Sequence, residues 1–180
     1  MESHVISEMD RLKQGDSEAL HVWVSEHYDG IYRFLRHLTR QVEAAEDLAQ
    51  QTFLNAIQAL PKFRGESSQK TWLHRIAFRE YIAWRRKRRL LLPLEFLAPK
   101  EDPRFAAIDA GEVLLAALHQ LPSAYREAFL LFEVQQMSIE EIAEVTDSPV
   151  GTVKSRLHHA RERLRVQLGG TFLEVSYEPK

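Results

Sequence analysis

The sequence predicts an all-α protein of two small helical domains joined by a Pro-containing linker, the C-terminal one a helix-turn-helix. Three observations carry that prediction. Strand alternation is nearly absent, while apolar residues recur at helical spacing along most of the 180 residues. One long structure-poor stretch, with Pro93, Pro99 and Pro103, interrupts the helical patterns. A short acidic segment, a turn and a longer basic segment follow one another from Met137 to Arg165. In a helix-turn-helix of that layout the second helix enters the major groove of DNA. The expected division is residues 1–91, a linker 92–111, a second domain 112–168 and a loose tail 169–180 opening on Gly169-Gly170.

In the first domain, Gly15 and Asp16 separate a short first helix from a long second one. Leu20, Val24, Ile31, Leu35 and Leu38 form an apolar seam on the second helix, with Trp23, Tyr28 and Phe34 beside it. The third helix runs from about Glu43 to Leu60 and ends at Pro61. Ala49, Phe53, Ala56, Ile57 and Leu60 make its apolar face. Its other face is Glu43, Glu46, Asp47, Gln50, Gln51, Asn55 and Gln58, acid and amide with no basic residue. A polar loop from Phe63 to Lys70 leads to a fourth helix, about Thr71 to Arg89. There Leu73, Ile76, Ala77, Tyr81 and Trp84 face inward, while Arg75, Arg79 and Arg86 share an outer face.

The second domain opens with an amphipathic helix carrying Val113, Leu114, Ala117, Leu118 and Leu121, broken by Pro122 and Ser123. A further helix is expected from Tyr125 to Val134. Ser138 is then an N-cap, and Glu141 three residues on completes a capping box. Ile139, Ile142, Ala143 and Val145 make that helix's apolar side. Asp147 falls in the turn, where a left-handed backbone is often needed and Asp tolerates it. Ser148-Pro149 reads as a second start signal, a cap followed by proline at the first helical position. Val150, Val153, Leu157, Ala160 and Leu164 recur as one buried stripe. Lys154, Arg156, His158, His159, Arg161, Arg163 and Arg165 fill the other faces, with Glu162 the one acid among them.

The net charge of −2, from 24 basic and 26 acidic residues, hides a strong local asymmetry. Lys70, Arg75, Arg79 and the run Arg85 to Arg89 oppose Glu80 alone, whereas the first thirty residues carry seven acids against Arg11 and Lys13. Basic patches on an acidic body direct phosphate backbone to chosen surfaces. With no cysteine there is no disulfide, thiolate nucleophile or cysteine metal site. The start of the chain is acidic and lacks an apolar core, and no apolar run reaches membrane-spanning length, so a soluble cytoplasmic protein is expected. His158 and His159 are adjacent and point different ways on a helix; His21 and His27 miss the i, i+4 spacing of a metal pair. No Gly-rich phosphate loop or nucleophile motif is found, so no enzyme, catalytic residue, metal or cofactor is expected.

Four stretches, in order, resemble the extracytoplasmic-function subgroup of the bacterial sigma-70 factors, from about residue 10 to 168. Glu46-Asp47-Leu48-Ala49-Gln50-Gln51-Thr52-Phe53 resembles the helix that binds the RNA polymerase clamp. Phe63-Arg64-Gly65-Glu66-Ser67 through Thr71-Trp72-Leu73-His74-Arg75-Ile76-Ala77 resembles the loop and helix that open and read the −10 element. Leu121-Pro122, Tyr125-Arg126-Glu127 and Phe129-Leu130 resemble the opening of the −35-binding domain, and Pro149-Val150-Gly151-Thr152-Val153-Lys154-Ser155-Arg156 its recognition helix.

The resemblance implies a promoter-specificity subunit of core RNA polymerase, governed by an anti-sigma factor. It implies that Glu46, Asp47, Gln50, Gln51 and Asn55 bind the polymerase. Arg64, Gly65, Ser67, Ser68, Lys70, Trp72, Arg75, Arg79, Arg85 and Arg86 would meet −10 DNA. Ser148, Thr152, Lys154, Ser155, Arg156, His158, His159 and Arg161 would meet −35 DNA. Gln51 stands where the family usually has Glu, Arg79 and Ala83 where Asn and Asp are common, and Asp147 where the turn usually has Gly. Two rivals remain open. A stand-alone helix-turn-helix regulator needs only residues 112–168 and leaves the acidic third helix and the Trp72 loop without a role. A sigma-like decoy for an anti-sigma factor would usually carry a fused receiver domain, for which this chain has no room.

Overall fold

A computed structural model describes residues 7–91 and 110–168. Those residues are helices and their connections, with no strand among them. The chain divides into two compact units between Pro99 and Lys100, each taken separately below. The expected tail lies outside the described residues, as does the expected linker apart from its last two positions, which already belong to a helix.

The first unit holds α1 (Glu8–Lys13), α2 (Ser17–Thr39), α3 (Val42–Ala59) and α4 (Gln69–Leu91). Gly15 takes a φ of +77°, the left-handed step that ends α1. Asp16 then caps α2, its Oδ1 accepting from the Glu18 and Ala19 amides at 3.0 and 3.1 Å. Its other oxygen accepts 2.9 Å from Arg11 Nε, and that bond, reinforced by the amides, holds the carboxyl below the ordinary aspartate range. A 3₁₀ turn, Leu60–Lys62, closes α3 at Pro61.

The core of this unit forms where α2, α3 and α4 meet. Trp23 is fully buried, with Phe53 edge-on at 5.9 Å between ring centroids. The alanines at 45, 49 and 56 have no exposed surface, so the backbone of α3 comes close to its neighbours. Thr52 is buried beside them and satisfies its hydroxyl on the Leu48 carbonyl at 2.7 Å. The buried line of α2 runs through Ala19, Trp23, Ile31, Phe34, Leu35 and Leu38, whereas Leu20 and Val24 of the expected seam are only half-buried. Ile31, Leu35 and Leu38 are buried as expected, and only over the first turns does burial move to Ala19 and Trp23, whose indole packs on Phe53 of α3.

The second unit holds α5 (Ala110–Gln120), α6 (Ser123–Phe129), α7 (Ile139–Thr146) and α8 (Val150–Gln167). The helix expected over Tyr125–Val134 is not uniform: α6 ends at Phe129 and widens into a π turn, Leu130–Val134. Pro122 and Ser123, expected to break α5, also launch α6, with Pro122 at its cap. The capping box on α7 is present in full: Ser138 Oγ accepts from the Glu141 amide at 3.1 Å, and Glu141 Oε2 from the Ser138 amide at 2.9 Å. Such a cap stabilises a helix by about 1 kcal/mol. Asp147 leaves α7 at φ 49°, ψ 50°, the expected left-handed conformation.

Two expectations about α8 need correction. Pro149, not Ser148, stands at the cap, and no side chain caps this helix. The cap amides instead turn back on the Pro149 carbonyl, which Thr152 and Val153 approach at 2.9 and 3.1 Å. Val150 is 37% exposed and drops out of the buried stripe, which is Val153, Leu157, Ala160 and Leu164. That stripe packs α8 on α6 and α7.

Candidate functional site

Glu46, Asp47, Gln50 and Gln51 all lie exposed along α3, opposite its buried face. Asn55 is half-buried and structural as well as polar. Its Nδ2 donates 2.9 Å to Glu80 Oε1 on α4, and Gln51 Nε2 donates 2.9 Å to its Oδ1. Leu54 lies among these residues, 49% exposed, a position the sequence reading passed over. Its signal was visible: at i+3 and i+7 from Gln51 and Asp47 it belongs to their face and not to the buried one. At the Glu46 edge, Tyr28 of α2 stacks on Tyr32 at 6.1 Å, and burial, then the charge of Glu46, push its phenol up.

The expected −10 residues divide into reach and scaffold. Arg64 and Glu66 are exposed and only loosely paired at 3.9 Å. Gly65 sits at φ +73° with open space around it, so conformation and not crowding requires glycine. Ser67 is half-buried, and Lys70 is exposed at the start of α4. Ser68 caps α4: its Oγ accepts from the Thr71 amide at 3.0 Å and meets the Thr71 hydroxyl at 2.8 Å. Trp72 is half-buried, its ring 4.7 Å from Phe63 and 6.5 Å from Trp23. The Trp23 indole in turn donates to Gln69 Oε1, tying α2 to the first residue of α4. An aromatic cluster thus sets the loop against the helix.

Farther along α4, Arg75 is half-buried while Arg79 and Arg86 are exposed. The basic run is not one uniform surface. Arg85 lies over the Tyr81 ring at 5.4 Å and Arg88 over Trp84 at 5.3 Å. Arg86, Lys87 and Arg89 remain exposed.

In the second unit, Lys154, Ser155, His158 and His159 are exposed on α8. Thr152 is half-buried in its first turn. Arg156, also half-buried, donates 2.9 Å from Nη1 to Ser148 Oγ. Arg161 departs most from expectation. It donates 3.1 Å from Nη2 to Glu133 Oε1, and its guanidinium lies 5.0 Å over the Phe132 ring. Both partners belong to the π turn, so Arg161 fastens α8 to that turn. No sequence rule pairs residues 28 apart.

Among the described residues, no group of three or more His, Asp or Glu could hold a metal, and no helix is long and apolar enough to cross a membrane. The surfaces on offer are therefore an acidic one, a polar aromatic loop and a basic helix.

Comparison with known proteins matches the same two units. The family described as Sigma-70 region 2 matches residues 23–90, and Sigma-70, region 4 matches residues 111–164. The chain is 30% identical over 184 residues to the ECF RNA polymerase sigma factor SigW of Bacillus subtilis, covering 93% of this chain and 98% of that one. It is 33% identical over 163 residues to the ECF RNA polymerase sigma factor SigE of Mycolicibacterium smegmatis, covering 84% of this chain but only 63% of that longer relative. Among solved structures, the sigma factor RpoE of Bartonella quintana, determined with the anti-sigma factor NepR, superposes with a TM-score of 0.72 at 26% identity, over 84% of this chain and 97% of that one. Taken with the acidic α3, the aromatic loop and the helix-turn-helix, these likenesses show that the chain belongs to the ECF RNA polymerase sigma factors of the sigma-70 family.

Proposed function

We propose that the protein binds core RNA polymerase through the exposed face of α3, recognises both promoter elements and helps to melt the DNA between them. It acts as an initiation factor and not as an enzyme, working in the cytoplasm with its polymerase. The observation that carries this reading is the face made by Glu46, Asp47, Gln50, Gln51 and the half-exposed Leu54. It offers anionic charge and an apolar anchor with no cation, which suits a basic helical partner. A regulator that bound DNA alone would have no use for it.

The chemistry of the loop follows from its parts. Melting requires a surface that holds unstacked bases. Trp72, resting on Phe63, supplies a supported ring on which a base can stack. Arg64, Ser67 and Lys70 supply polar and cationic contacts, and the open Gly65 lets the backbone approach. Arg79 and Arg86 extend that contact along α4 to phosphates. In the second unit, Lys154, Ser155 and His158 face the major groove of the −35 element, with Arg156 aimed by Ser148 and His159 meeting the DNA beside them. Because the Bartonella relative was solved with an anti-sigma factor, control by such a partner is part of the proposal.

Run-off transcription tests it. The purified chain and core polymerase, on a pool of genomic promoters, should initiate at specific sites that core alone does not use. Sequence-specific DNA binding without any initiation would replace this reading by the stand-alone regulator.

A further inference from the structure

Tyr125 stands in the first turn of α6, its amide bonded 3.0 Å to the Pro122 carbonyl. Its ring meets two side chains of α8 at once. The His159 imidazole stacks on it at 5.6 Å between centroids, with planes 29° apart. The Arg163 guanidinium lies over it at 5.7 Å. Positions 159 and 163 are one helical turn apart, so a single ring organises two successive turns of α8. His158 adds an edge-on contact to His159 at 5.5 Å. Both His159 and Arg163 remain exposed, while Tyr125 is half-buried.

This arrangement differs from the one at Arg161. Arg161 is neutralised by a carboxylate, Glu133. Among the described residues no carboxylate contacts His159 or Arg163; their shared partner is the face of an aromatic ring, which orients the Arg163 guanidinium without cancelling its charge. A long side chain free in water loses rotamer freedom when it grips a phosphate. One already laid against a ring loses less. We infer that Tyr125 is a positioning residue for DNA: it holds His159 and Arg163 as a preset pair of donors for the phosphodiester backbone flanking the −35 element. The inference rests on the reading of α8 as the DNA-binding helix and adds a contact, Arg163, and an organiser, Tyr125, to it.

Holoenzyme assembled from the full chain and core polymerase is titrated onto promoter DNA over a salt series from about 50 to 200 mM. Arg163→Ala removes one phosphate contact and should lower the slope of log affinity against log salt by about 1. Tyr125→Ala should weaken binding about threefold to thirtyfold and lower the slope in the same direction. Tyr125→Phe keeps the ring and should behave as the parent. Tyr125→Ala combined with Arg163→Ala should lose little beyond Tyr125→Ala alone. Arg163 is exposed, so its variant reads out the contact even if Tyr125→Ala unfolds the unit. An unchanged slope for Arg163→Ala overturns the inference, as does a Tyr125→Ala variant that is less heat-stable but binds with the parent's slope. Lys154→Ala separates the two levels. If it too binds as the parent does, the DNA reading of α8 fails and takes this inference with it. If it weakens binding while Arg163→Ala does not, this inference fails alone.

Discussion

The Arg156 guanidinium reaches back two turns along α8 to bond the Ser148 hydroxyl at 2.9 Å, and that hydroxyl donates onward to the Thr146 carbonyl at 3.2 Å. Helical side chains lean toward the N-terminus, which brings a long arginine to the turn it followed. The turn thus aims a residue of α8 although no side chain caps that helix. Ser148→Ala removes the aim and leaves the fold, at a cost of about 0.5–1.5 kcal/mol for one hydrogen bond. Binding measured against single-base variants of the −35 element should show a broadened preference, and Ser148→Thr should restore it. An unaltered base profile for Ser148→Ala would show that Arg156 does not depend on this hydroxyl.

Asp47→Ala and Leu54→Ala should each weaken assembly with core polymerase by about 1–2 kcal/mol, since charged rims and central apolar anchors contribute at that level. Neither residue is buried, so melting temperatures should stay within about 2 °C of the parent. Native gels of the holoenzyme give the first quantity and calorimetry the second. Normal assembly by both variants would remove α3 from the proposed interface.

Asp147 holds φ 49° where glycine has no steric cost. Asp147→Gly should therefore be neutral or stabilising by less than about 1 kcal/mol, and Asp147→Val destabilising by about 1–2 kcal/mol. Urea titration of the full chain, followed by helicity, checks both signs.

His37 near the end of α2 responds to acid. Burial, and then the charges of Arg36 and Arg33, push its imidazole below the usual 6.5. Below that pH the unfolded chain takes up a proton that the folded chain resists, so its contribution is full above about 6.5 and lost as pH falls through the lowered folded value. The unfolding midpoint in urea should drop between about pH 7.5 and 5.5, above the carboxylate range. His37→Gln should flatten that drop. An equal drop in the variant would assign the effect to other groups.

What was legible in the sequence was mostly local. The Ser138/Glu141 box and the left-handed Asp147 each need only a few residues of context, and the structure has both. Much of the inward faces of α3 and α4 followed from periodicity, but Ile57, Ile76 and Trp84 are only half-buried, and it missed Ala45, Leu48 and Thr52 on α3 and Thr71, His74 and Phe78 on α4. The move of burial from Leu20 and Val24 to Ala19 and Trp23 at the start of α2 was not legible, because that choice belongs to the helices packed around Trp23. Among the site residues, the same limit separates reach from scaffold. Lys154 and Arg161 look alike on a helical wheel, and only Glu133, on the distant π turn, tells them apart. From the sequence Ser68 reads as a DNA contact and Ser148 as a cap and a DNA contact; the first caps α4 and the second holds an arginine.

The division of labour along α8 has a consequence for how such proteins diversify. Val153, Leu157, Ala160 and Leu164 fasten the helix along one stripe and Arg161 ties it to the π turn, while Lys154, Ser155 and His158 stay exposed. Exposed positions tolerate substitution within about 0.5 kcal/mol. Under the proposed function, a duplicated gene could therefore trade these exposed residues freely and acquire a new set of target promoters, with the folding of the unit left as it was.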